Sequence, residues 1–151
     1  MKNKLFLFAF FLLALSCDED AIDCSTVLCE GPPTLVFEVL QNSTNVFEAE
    51  VLDASDVSIT GNAPANISFQ VAEGFFNGGD TQLLSLQTSA WEATSYAFEV
   101  VFGTLGSVNL EVDIELSSND GCCGGIPFVA AMRVDGAALP NPNIVLTVNL
   151  D

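Results

Sequence analysis

Residues 108–116 alternate without a break. Val108, Leu110, Val112, Ile114 and Leu116 are apolar, and Asn109, Glu111, Asp113 and Glu115 are polar. Only a period of two puts those sets on opposite sides, so the segment is expected to be a strand with one dry and one wet face. The chain from residue 34 onward repeats the pattern in shorter pieces. Residues 34–40 place Leu35, Phe37 and Val39 on one side, and residues 46–52 oppose Phe47, Ala49 and Val51 to Glu48 and Glu50. Residues 57–60, 66–72, 81–87, 95–102, 128–134 and 144–150 continue it. Between them stand turn formers: Gly61-Asn62, Asn77-Gly78-Gly79-Asp80, 103–106, 119–125, Asp135-Gly136 and Pro140-Asn141-Pro142.

No segment carries a helical period, and no block of sequence repeats. The expected fold class is therefore all-β. The specific expectation is an antiparallel β-sandwich of roughly nine strands over residues 34–151, Greek-key in connection and immunoglobulin- or transthyretin-like.

Residues 1–16 read as a different object. Lys2 and Lys4 precede an apolar run of eleven residues, Leu5 to Leu15, and the small Ser16 stands directly before Cys17. A positive start, an apolar stretch and a small residue at the cut form an export address. As a helix the run would cross only about half of a ~30 Å hydrocarbon core, too little for a permanent anchor. The segment resembles a bacterial lipoprotein signal, which is cut before a cysteine that then carries the lipids. Ala14 occupies the third position before the cysteine, where Leu is commonest, and Leu13 and Leu15 flank it. The acidic run Asp18-Glu19-Asp20 is similar to the export signal of surface-exposed lipoproteins in the Bacteroidota.

The resemblance covers about the first twenty residues. It implies a signal peptide over 1–16, lipidation at Cys17, and an outer-membrane protein facing the cell exterior, with the membrane as partner through that lipid. Residues 17–33 then form an acidic tether carrying Cys24 and Cys29, ended by Gly31-Pro32-Pro33. Anionic headgroups repel Asp18, Glu19, Asp20 and Asp23, so the tether is expected to hold the folded part off the bilayer.

Removing residues 1–16 sharpens the charge. Both lysines leave, so Arg133 alone faces all twenty acids and the formal charge becomes −19. Nucleic acid binding, which depends on basic patches, is excluded. The chain has no histidine and no lysine after position 4. Histidine-dependent nucleophilic catalysis, Schiff bases, histidine metal sites and Walker-type phosphate binding each lack a required residue.

Four cysteines remain once Cys17 is assigned to lipid: Cys24, Cys29, Cys122 and Cys123. An even number in an exported domain reads as a disulfide framework. A bridge between neighbours Cys122 and Cys123 would strain the peptide that joins them, since their Cα atoms lie ~3.8 Å apart. Two long bridges are therefore expected, from Cys24 and Cys29 to Cys122 and Cys123, in either order. A four-thiolate zinc site is the rival, with poor ligand spacing.

The carboxylate row Glu111, Asp113 and Glu115, or Asp80 in the Asn-Gly-Gly-Asp loop, is the candidate site for a hard cation such as Ca²⁺. The competing reading is a wetted sheet face, and no other cofactor is expected. Asp53 and Asp56 read as turn or cap residues. Phe75-Phe76 offers either core packing or an exposed aromatic tip. No catalytic residue stands out. The sequence points to a lipid-anchored, surface-exposed, non-enzymatic module that binds a glycan or an envelope protein. A carboxylate-based glycan hydrolase and a structural or adhesion spacer with a bound divalent cation are the alternatives.

Overall fold

The computed structural model describes residues 24, 27–118, 122–141 and 145–150. Cys17, residues 119–121 and Ile144 lie outside them. The described chain is all-β and contains ten strands in two sheets. The first sheet runs in the order β10 (Leu146–Leu150), β1 (Leu35–Gln41), β5 (Gly79–Gln87), β4 (Ser68–Phe76), with β2 (Thr44–Asn45) paired to β1. The second runs β3 (Val57–Asn62), β6 (Ser95–Phe102), β7 (Gly106–Leu116), β8 (Pro127–Val134), β9 (Ala137–Ala138).

The inward residues of both sheets form one core. Phe37, Val39, Leu84 and Leu86 from the first meet Val100, Phe102, Leu110 and Val112 from the second. Burying each such side chain stabilises the fold by roughly 1.5–3 kcal/mol relative to leaving it in water. In β7 the alternation holds from Val108 to Ile114, but Leu116, expected on the dry face, is about half exposed because the strand overshoots the core. Asp113 faces Ala131 while Ile114 faces Val129, so Ala130 is an extra residue in β8. That bulge turns both Val129 and Met132 inward although they are three apart.

Three expectations are corrected. Residues 46–52 do not form a strand. The Asn45 side-chain oxygen accepts from the backbone N–H of Phe47 at 3.0 Å and of Glu48 at 3.2 Å. The backbone N–H of Ala49 bonds the Asn45 carbonyl, and Val51 bonds that of Val46. This local capping coils the segment, so adjacent Val46 and Phe47 are both buried while Val51 is exposed. Gly61-Asn62 is not a turn but the end of β3, where Gly61 takes φ +99° and lies hard against the backbone of β6. The sheets are not wholly antiparallel either, because β10 pairs β1 in parallel from Phe37↔Leu146 to Gln41↔Leu150. After the Asp135-Gly136 turn the chain runs back along β8 as far as Leu139 before it reaches the first sheet. It therefore enters β10 from the same end as β1.

The strands give the domain two ends. At the tether end, Pro33 accepts a 2.8 Å hydrogen bond from the Trp91 indole, and the Leu35↔Leu86, Ser68↔Gln87 and Leu116↔Pro127 pairs begin the ladders. At the far end lie the Asn77-Gly78, 103–105 and Asp135-Gly136 turns.

Candidate functional site

The carboxylate row on β7 is not gathered into a site. Side chains two apart on one strand face stand ~7 Å apart, and Glu111 and Asp113 are drawn sideways to neighbouring strands instead. Glu111 forms an ion pair with Arg133 of β8 at 3.2 Å, both side chains about half exposed. Asp113 accepts the hydroxyl of Ser95 on β6. Glu115 sits opposite Phe128 in the ladder. Asp80 lies on the other sheet, opposite Phe75. Among the described residues no three His, Cys, Asp or Glu side chains come together as a metal site.

Asp53 and Asp56 cap the 3-10 turn Ala54–Asp56. Asp53 accepts from the backbone N–H of Ser55 at 2.7 Å and from its hydroxyl, while Asp56 accepts from the Asp53 N–H at 2.9 Å. The Ser55 hydroxyl, and after it the Ser55 backbone N–H, hold the Asp53 carboxyl below its usual value of 3.8. That is the opposite of the raised carboxyl a glycosidic general acid needs.

The cysteines are paired Cys24–Cys122 and Cys29–Cys123, with Cα separations of 5.2 and 5.4 Å. The two bridges bolt the tether across the turn that follows β7. Between the bolted tether and the ends of β7 and β8 opens a groove of about 680 Å³, lined by Leu28, Glu30, Pro33, Ile126, Pro127 and Phe128 among others.

Besides Val51 in the coiled segment, the exposed large apolar side chains among the described residues fall in two places. One is Phe75, 73% exposed, so the aromatic-tip reading rather than core packing describes it. The reason it stays out lies at Asn45. Beyond Phe37↔Leu84 the strand β1 pairs β2 rather than β5, and the β4–β5 hairpin continues past the core as an arm. Asn45 Nδ2 ties that arm down by donating to Thr81 Oγ1 at 3.0 Å and to the Gln82 carbonyl at 2.7 Å. Phe75 lies near the tip, one residue before half-buried Phe76.

The other place is the tether end, which sequence reasoning missed. Leu28 is 98% exposed, with Val27 beside it and Leu116 and Phe128 on the ends of β7 and β8. The available signal was an apolar pair, Val27-Leu28, inside an otherwise polar Cys-x4-Cys segment. No helix among the described residues is long and apolar enough to cross a membrane. Compared with models of protein families, with curated proteins and with solved structures, the chain matches none.

Proposed function

We propose that this protein is a lipid-anchored, non-enzymatic binding module of the cell surface, held by Cys17 and presenting the β4–β5 arm to a protein partner of the envelope. The observation that carries the reading is the placement of Phe75. It stands seven residues along β4 from Ser68 at the tether end, a rise of roughly 23 Å. An anchor at one end and an exposed aromatic residue toward the other suit presentation away from a membrane.

The edge itself supports a protein rather than a glycan as ligand. Among the described residues β4 pairs with a strand on one side only, with the Ala54–Asp56 turn also close to it, and its nine residues contain no proline and a single charge, Glu73. Edge strands without such guards are templates for added strands, and a side chain like Phe75 then supplies specificity. Glu73 and Asp80 on the arm favour a partner strand carrying basic residues. The two-layer arrangement, in which the last strand returns to lie beside the first, is read as a β-sandwich of the Greek-key, immunoglobulin- or transthyretin-like kind.

The test replaces Phe75 with a photo-crosslinking phenylalanine in cells. A discrete adduct at position 75, absent with the same probe at Ser107 on the outer face of the second sheet, supports the reading. Equal labelling at both positions, or none at either, overturns it. Cys17→Ser is expected to move the protein from the membrane to the soluble fraction.

A further inference from the structure

Among the described residues, exposed apolar side chains concentrate at the tether end. Of the six large apolar residues most exposed among the described residues, Val27, Leu28, Leu116 and Phe128 are all there. Leu28 stands fully in solvent although the bridges of Cys24 and Cys29 fix the chain on either side of it. Holding a leucine outward on a doubly bridged segment removes most of the entropy that a flexible loop would lose on docking. Leu28 and Phe128 line the same groove, in which Glu30 is the single acid. Glu115, across the ladder from Phe128, is the second acid of this rim, which is still sparse in charge for a domain this acidic.

Chain length says what the rim meets. Seven chain steps, across six intervening residues, join Cys17 to Cys24. Even fully extended they reach no further than about 25 Å. We infer that the tether end docks on the bilayer in which the Cys17 lipid is anchored, with Leu28 and Phe128 dipping into the interface of zwitterionic lipid. This rests on the reading of Cys17 as the lipidated residue.

The physical balance favours contact. Apolar side chains at the headgroup–acyl boundary gain by leaving water. A short tether keeps the rim at millimolar effective concentration, so a weak patch suffices. Repulsion of the tether acids by anionic headgroups is absent on zwitterionic lipid and fades within ~8–10 Å at physiological salt. Docking at this end leaves the Phe75 arm pointing away from the membrane.

The experiment uses the full chain expressed with its own leader, purified as the lipidated protein and placed in phosphatidylethanolamine–phosphatidylcholine vesicles. Mass measurement of the Cys17 peptide and retention on the vesicles test the anchor separately. Leu28→Trp, with Phe128→Trp as a second probe and Thr104→Trp as control, then reports contact with brominated lipids. Thr104 lies in the turn at the opposite end of β7, an eleven-residue strand about 35 Å long. Emission of L28W and F128W is expected to fall by about half with bromines near the headgroup, as a residue ~5–10 Å into the boundary requires, and T104W to stay unchanged. Protein retained on the vesicles with L28W and F128W both unquenched overturns the docking and leaves the anchor standing. An unlipidated Cys17 overturns both.

Discussion

The side-chain amide of Asn45 donates to the backbone carbonyl of Gln82 at 2.7 Å, joining residues 37 apart in the chain. That single contact sits at the fork where β5 leaves β1. The same side chain accepts from Phe47 and Glu48, so every polar atom of a nearly buried residue is engaged. One amide thus coils residues 46–51 and fastens the β4–β5 arm.

Asn45→Ala should therefore cost about 1–3 kcal/mol of unfolding free energy, the usual penalty for leaving buried backbone groups without partners. Urea titration measures it. Hydrogen exchange should show the loss first in β5 around Gln82; protection unchanged there would refute the role of the fork.

The disulfide order can be tested by pairing substitutions. Each bridge closes a loop of nearly a hundred residues, with sequence separations of 98 and 94. Either bridge alone still closes the long loop, so removing one should cost only about 2 kcal/mol, and removing both should cost several more. Cys24→Ser with Cys122→Ser leaves Cys29 and Cys123 to pair, and neither should remain reactive as a thiol. Cys24→Ser with Cys123→Ser leaves a mismatched pair, which should oxidise incompletely and melt at a lower temperature.

Gly61→Ala tests the close approach of β3 to β6. A Cβ there would stand 3.0 Å from the Ala97 carbonyl oxygen and 3.2 Å from the Phe98 Cα, at a φ of +99°. Backbone cannot retreat as a side-chain tip can. A loss of about 1–3 kcal/mol is expected, from strain and crowding together. Gly78→Ala is a useful companion, since its φ of +89° is also left-handed but nothing lies within 4 Å of the added atom.

Asp53 supplies a pH dependence with a definite sign. The hydroxyl and N–H of Ser55 favour its ionised form, so its folded pKa lies below the ordinary 3.8. The cap is fully present above that ordinary value and is lost as pH falls through the depressed one. The difference in melting temperature between wild type and Asp53→Ala should be constant near neutrality and close below pH 3.8. A difference that persists undiminished into strong acid would show that charge has no part in the cap.

The local periods of this chain fix much of its architecture before any contact is known. Alternation places β6 at residues 95–102 in the sequence and in the structure alike, and β7 is displaced only at its start. Hairpin turns such as Asn77-Gly78 and Asp135-Gly136 are legible because their positive φ values demand those residue types. Residues 46–52 alternate just as well and yet coil. There the Asn45 side-chain oxygen caps the segment locally, while its amide is held by a strand 37 residues away. The same holds for the carboxylates. A period of two puts Glu111, Asp113 and Glu115 on one face, but only their cross-strand neighbours Arg133 and Ser95 determine that they spread rather than converge.

Most of the longer strands, the acidity, the absence of histidine and the four cysteines available for bridging are legible in the chain alone. Each is a property of composition or of neighbours along the chain. The tertiary structure decided which cysteine meets which, that β10 lies parallel to β1, and that Phe75 and Leu28 remain in water at opposite ends of the domain. Exposure is set by where the core stops. That boundary depends on which distant strands pair, and no local pattern encodes it.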